Sequence, residues 1–180
     1  MESALIQKDG GDTAVEELRD PRPDAARMRL RECTNQPEAC EAIREIVSNL
    51  LGCEEMALFE LDRKRGRFSL IWSFGTEAKT FHLPKMFVET ALPGVLAGDA
   101  YIDEGFSDAL MGGQGERASA FVPILFRRET VGVLALLRLL PQKANIDEVD
   151  RGLFAVLTSE AGKPLFGDAE SGRGRSERKR

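Results

Sequence analysis

Two pairs of strand-like runs, each pair joined by a short charged turn, set the main constraint on how this chain folds. Residues 55–62 (Glu-Met-Ala-Leu-Phe-Glu-Leu-Asp) and 67–74 (Arg-Phe-Ser-Leu-Ile-Trp-Ser-Phe) flank Arg63-Lys64-Arg65-Gly66. Residues 119–126 (Ser-Ala-Phe-Val-Pro-Ile-Leu-Phe) and 131–140 flank Arg127-Arg128-Glu129-Thr130. Runs rich in β-branched and aromatic residues, with so little chain between them, pair as antiparallel hairpins. Phe68, Leu70, Trp72 and Phe74 alternate with their neighbours, which predicts one apolar face for the second run. Residues 131–137 are apolar at both parities, so this strand is expected in the middle of the sheet, covered on both sides. Pro123 has no N–H to give to a ladder and demands an edge or a bulge in its strand.

Helices bracket the hairpins. Asn35 can cap a helix with Pro37 in its first turn, and Cys40, Ile43, Val47, Leu50 and Leu51 recur at helical spacing before Gly52. After the second hairpin another helix begins, capped either by Asn145, with Glu148 completing a capping box, or by Asp147. Val149, Leu153, Val156 and Leu157 form its apolar stripe, and it is expected to end before Pro164. Between the hairpins the chain is irregular. Residues 84–97 have helical character that Pro93-Gly94 breaks or restarts, residues 100–103 suit a short strand, and residues 104–117, with Gly105, Gly112, Gly113 and Gly115, read as a long loop. Ahead of Asn35, Pro21-Arg22-Pro23 divides a lead (residues 1–34) into broken pieces, with short helices expected at 13–19 and 24–33.

Antiparallel pairs with helices at both ends predict an α+β fold: an antiparallel sheet of about five to six strands with the terminal helices packed on one face. A length of 180 residues supplies one domain with a sizeable core. No apolar stretch approaches the ~20 residues of a membrane helix, and the first residues lack the pattern of a secretory signal. Three Cys suggest no disulfide framework, so a reducing cytoplasm is the expected location. The net charge of −5 is unevenly placed: the last eight residues carry +4 and the other 172 carry −9. An acidic body makes nucleic acid an unlikely partner, and residues 167–180 read as a disordered basic tail.

The second hairpin and the helix after it resemble a known family. Ser119-Ala-Phe-Val-Pro-Ile, a charged turn, Val131-Gly-Val-Leu-Ala-Leu, and Asn145-Ile-Asp-Glu-Val-Asp150 are similar to the GAF domain pattern of a Val-Pro-Leu strand, a polar turn, a Gly-Val-Leu strand and a helix opened by Phe-Thr-x-x-Asp. Ile146-Asp147 stands where the family has Phe-Thr. Gly94-Val-Leu-Ala-Gly-Asp-Ala-Tyr-Ile102 is a weaker match, and the likeness covers about residues 35–166. It implies a binding module of GAF/PAS-like fold, with a pocket on the sheet face away from the terminal helices. His82, Phe87, Tyr101, Asp103 and Phe106 are then the pocket candidates. It further implies a homodimer through the terminal helices, with Ile43, Val47, Leu50, Val149, Leu153 and Val156 as interface candidates. With the last helix stopped at Pro164 and only a tail after it, output is expected in trans through a protein partner.

The ligand signatures of particular family members are absent. No Asn-Lys pair of the cyclic-nucleotide-binding members occurs, no Cys is followed by His as in bilin-attaching members, and His82 is the sole candidate for an axial haem ligand. No cofactor can be named from the sequence. One His without clustered carboxylates or thiols supplies neither a triad nor a metal site. Gly112-Gly113-Gln114-Gly115 lacks the Lys-Ser/Thr of a phosphate-binding loop. The expected function is therefore a non-catalytic sensor or interaction module that binds a small molecule. The alternatives are a ligand-free scaffold of the same fold and a thiol-dependent reductase similar to free methionine sulfoxide reductase. The last requires a Cys in the pocket, whereas Cys33, Cys40 and Cys53 all precede it in the chain.

Overall fold

The computed structural model describes residues 20–75, 81–83, 87–103, 118–143 and 145–173. Strands β1 (Cys53–Asp62), β2 (Arg67–Phe74), β3 (Tyr101–Ile102), β4 (Ala120–Phe126) and β5 (Glu129–Leu139) form one antiparallel sheet in the order β2-β1-β5-β4-β3. β5 is central, as a run apolar at both parities requires: Leu134 and Leu136 enter one core, and Val133, Ala135 and Leu137 enter a second core on the opposite face. The demand made by Pro123 is also met. β3 pairs with β4 only at Ala120 and Phe121, which leaves β4 an edge at Pro123, and a bulge follows between Ile124 and Leu125.

The first hairpin departs from simple alternation. Leu58 pairs with Trp72, yet Phe59 pairs with Leu70, so Ile71 is an extra residue in β2. Opposed residues share a face, and Leu58 and Phe59 belong to opposite cores. Trp72 and Phe74 therefore lie on one side, and Phe68 and Leu70 on the other. The single apolar face expected from their spacing is corrected, because the bulge switches parity in mid-strand. The second hairpin is tighter than its charged run suggests: Glu129 and Thr130 already belong to β5, and Arg127 and Arg128 alone turn the chain, with φ of 53° and 68°.

One sheet face carries α2 (Gln36–Asn49), α4 (Glu148–Glu160) and α5 (Gly162–Arg173), with α1 (Arg22–Arg31) packed over them. Asn35 caps α2, its side chain accepting the Glu38 N–H at 3.0 Å. Asp147, not Asn145, caps α4. Its carboxylate accepts the Asp150 N–H at 3.0 Å, while the Asp150 carboxylate accepts the Asp147 N–H at 2.8 Å. Asp150 is fully buried and also holds Lys143 Nζ at 2.8 Å, which ties the preceding loop to the helix. α1 is part of the core through Ala26 and Leu30. α4 ends ahead of Pro164 as expected, but a basic tail alone does not follow. Pro164 lies in the first turn of α5, where its missing N–H costs nothing, and Leu165 and Phe166 of that helix are buried. Gly162 is required there, since a Cβ would overlap the Leu125 carbonyl oxygen.

The opposite face carries a π-helical turn (Phe87–Ala91) and α3 (Leu92–Ala97). Pro93 in the first turn of α3 shows the helical character restarting at that point. Thr130 secures α3 from below, its hydroxyl donating to the carbonyls of Val95 (3.1 Å) and Leu96 (3.2 Å). The helix expected at 13–19 and the loop 104–117 lie outside the described residues.

Candidate ligand-binding face

On the sheet face away from α2, α4 and α5 the central positions are small. Ala57 of β1 and Ala135 of β5 stand directly opposite each other, and Ser73 of β2 is the next partner of Ala57. Small side chains at the middle of a sheet leave depth for rings to lie over it, and rings fill the surroundings. Phe87 lies 4.4 Å from Phe121 and edge-on to Phe68 at 5.7 Å; Phe81 lies 6.2 Å from Phe59, and Tyr101 6.3 Å from Phe121. Such offset and edge-on pairs are the favoured aromatic geometries.

Polar groups gather at the end of the sheet where β4 begins. Ser119 lies just ahead of β4, two residues before Phe121. Its N–H donates to Leu136 O at 2.6 Å and its carbonyl accepts the Asp103 N–H at 3.0 Å. Ser119 is buried to 1% exposure, and its hydroxyl has no hydrogen-bond partner among the described residues. Ser48 Oγ on α2 also lacks a partner among the described residues, but a helical serine can turn to a carbonyl of its own preceding turn, and it lies on the helix side of the sheet, away from the aromatic bed. At the same end Glu55 is buried beneath Gly75, where any Cβ would collide with it, and Arg138 Nη2 holds its carboxylate at 2.6 Å.

Of the residues predicted from sequence, the structure brings Phe87 and Tyr101 together through Phe121 and sets Asp103 beside Ser119. Phe87 is fully buried in the aromatic bed, Tyr101 and Asp103 are half-buried, and His82 is exposed. Phe106 lies outside the described residues. Sequence reasoning misses Ser119; its signal is a lone hydroxyl opening an otherwise apolar strand. Of the interface candidates, Ile43, Val47, Leu153 and Val156 are buried in the chain's own helix-side core, and Leu50 and Val149 are half-buried.

An antiparallel sheet with helices layered on one face and a short helix and aromatic bed on the other is the architecture that the sequence motifs imply, and the GAF domain profile matches residues 36–164. The chain belongs to the GAF domain family. Solved structures agree in fold. The GAF domain of an Acinetobacter phosphoenolpyruvate-protein phosphotransferase is 14% identical, with a TM-score of 0.59 over 84% of this chain and 95% of that one. Its counterpart from Coxiella burnetii is also 14% identical, with a TM-score of 0.57 over 84% and 95%. Residues 122 to 287 of a methyl-accepting chemotaxis protein are 17% identical, with a TM-score of 0.54 over 84% and 99%. No curated protein matches the chain significantly in sequence. The GAF domain is a signalling and sensor fold found in chemotaxis and phosphotransferase proteins, and its members are generally regulatory or ligand-binding modules.

The thiols of this GAF domain lie on the helix side. Cys40 and Cys53 are buried in that core and Cys33 packs against it. Burial pushes the Cys40 and Cys53 thiols up to about 11 and raises that of Cys33 as well. A thiol so raised is overwhelmingly protonated at neutral pH and a poor nucleophile. A separate cleft of about 390 Å³ opens at the β3 edge between Gly98, Asp99 and Ala100 on one side and Arg151, Phe154 and Thr158 of α4 on the other, and none of the predicted residues lines it. Among the described residues no cluster of His, Cys, Asp and Glu could hold a metal ion, and no helix is long and apolar enough to cross a membrane.

Proposed function

We propose that this chain is a non-catalytic GAF sensor or interaction module of cytoplasmic signalling, which receives a small molecule on its aromatic face and passes the result to a protein partner or a second copy of itself. The observation that carries this reading is the Ser119 hydroxyl, buried and without a hydrogen-bond partner among the described residues. A buried hydroxyl left unpaired costs about 1–3 kcal/mol, and a ligand that gives or accepts one hydrogen bond there removes the cost. Asp103 beside it, with Tyr101 and Phe121 next along the strands, supplies the mix of apolar walls and few polar groups that orients small ligands. The protonated, helix-side thiols argue against the reductase alternative.

Closure of the aromatic bed favours a second reading, a ligand-free scaffold: Phe87 is wholly buried and Phe81 is 6% exposed. Thermal-shift measurements with nucleotides, amino acids and tetrapyrroles separate the two. The sensor reading expects at least one of these classes to raise Tm in the parent and to do so less in Ser119→Ala, while the ligand-free Ser119→Ala protein melts no lower than the parent. Absence of any shift across the panel sinks it and leaves the scaffold. Self-association is read by size-exclusion chromatography with light scattering, where a monomer at high concentration removes that part of the proposal. With four of the six interface candidates inside the core, a dimer would rest on Leu50, Val149 and the exposed flanks of their helices.

A further inference from the structure

The two hairpin turns lie side by side at one end of the sheet. β1 and β5 are antiparallel neighbours, so the end of β1 meets the start of β5, and Arg63 Nη1 lies 2.7 Å from Glu129 Oε2. Residues 62–67 and 127–129 carry Arg63, Lys64, Arg65, Arg67, Arg127 and Arg128 against Asp62 and Glu129, and all six basic side chains are exposed. These nine residues are thus at +4 in a chain whose total is −5, which leaves −9 for the rest. The second turn is also locally unfavourable. Both of its residues have positive φ, the mirror-image turn geometry for which Asn-Gly is the favoured pair. Here two arginines take those positions, with the Arg127 guanidinium 5.0 Å from the Phe126 ring centre. Backbone strain held at an exposed tip is a feature of sites where the side chains displayed there have a use.

We propose that this end of the sheet is a docking surface for a short acidic segment of a partner protein. Guanidinium forks bind carboxylates in pairs, and four strands at ~4.8 Å spacing make the turn-bearing end about 15 Å across, the reach of a few extended residues. An extended polyanion fits less well. A membrane surface or a nucleic acid would bring the acidic remainder of the chain within the Debye length of ~8 Å and be repelled by it, whereas a short acidic segment engages the turns alone. This surface lies apart from Ser119 and Asp103 and stands or falls independently of a ligand on the aromatic face.

Fluorescence anisotropy with the full chain tests it, using a labelled octapeptide of Asp and Glu, a Ser/Gln octapeptide of equal length, a labelled DNA duplex and phosphatidylserine vesicles. The acidic peptide is expected to bind, to weaken as salt rises, and to lose at least tenfold in affinity in the double variant Arg127→Asn, Arg128→Gly. That variant supplies the favoured turn pair and should melt above the parent, so its loss of binding is not a loss of fold. Arg65→Gln, which leaves the second turn intact, is expected to weaken binding several-fold. No binding of the acidic peptide, unchanged affinity in either variant, or tighter binding to the duplex or the vesicles would overturn the proposal.

Discussion

On the helix side of the sheet, Leu134 and Leu136 of β5 share a core with Ile43, Leu153 and Leu157, closed by three helices; one residue along the same strand, Ala135 and Leu137 share a core with phenylalanine rings beneath a π-helical turn and a six-residue helix. The two sides solve the same problem of covering a strand apolar at both parities, and they solve it with different materials. Branched aliphatic side chains on long helices interdigitate at many contacts, and the buried carboxylate of Asp150 is met by Lys143 and by the Asp147 N–H. The aromatic side relies on a few large rings set over alanines, and just ahead of β4 the Ser119 hydroxyl has no partner among the described residues. A face built from few, large, separable pieces can part to admit a ligand at less cost than one built from many small interlocked ones.

Leu136 and Leu137 put that difference to the test, being the same side chain at adjacent positions on opposite faces. Leu136→Ala is expected to cost about 3–4 kcal/mol, within the range for a buried leucine in a tight core. Leu137→Ala should cost about 2 kcal/mol, at the low end for a buried leucine, because the rings around it can settle into the space. Urea denaturation of the two variants reads both values, and equal losses would dissolve the distinction between the faces. A separate test probes the helix side alone. Asp150→Asn removes the charge that faces Lys143 and weakens the reciprocal cap, and should cost about 2 kcal/mol, as hydrogen bonds to charged groups do. In Lys143→Ala the same change should cost clearly less, since part of the loss is the shared ion pair; identical costs with and without Lys143 would show that the cap acts without it.

Much of the helix side is legible in the sequence, because its signals are local. Asn35 and Pro37 announce a helix start through side-chain chemistry within one turn, and the spacing of Cys40, Ile43 and Val47 names its buried stripe. The apolar double parity of residues 131–137 places β5 at the centre of the sheet. The choice between Asn145 and Asp147 as the cap stays open in sequence, since each has an acidic residue three places on; burial of Asp150 and its bridge to Lys143 decide it, and that bridge is a tertiary fact. Pro164 reads as a stop, yet it opens α5, because a proline is equally suited to follow one helix and to begin the next. The aromatic side is less legible. The bulge at Ile71 splits Phe68 and Leu70 from Trp72 and Phe74, and nothing in the local pattern marks it. Phe87, Tyr101 and Asp103 come from family resemblance rather than periodicity, and the lone hydroxyl of Ser119 gains a meaning only once its carbonyl is seen to accept the Asp103 N–H.

The smallest expected effect concerns reactivity rather than stability, and it asks whether the helix side stays shut. A thiol whose pKa is about 11 is a thiolate in roughly one molecule per thousand at pH 8. Each rise of one pH unit multiplies that fraction tenfold until the pKa is approached, so alkylation of Cys40 and Cys53 should be slow at neutral pH and climb steeply toward pH 10. Cys33, half-buried and beside the Arg29 guanidinium, whose charge opposes the effect of burial, should label first. Mass spectrometry after timed iodoacetamide treatment resolves the three sites, and denaturant should bring their rates together. Were Cys40 to react as fast as Cys33 at pH 7.5 in the native protein, the helix layer would be opening on that timescale. The contrast between a sealed face and a receptive one would then fail at the face taken to be sealed, and a buried thiol would regain the access that reductase chemistry needs.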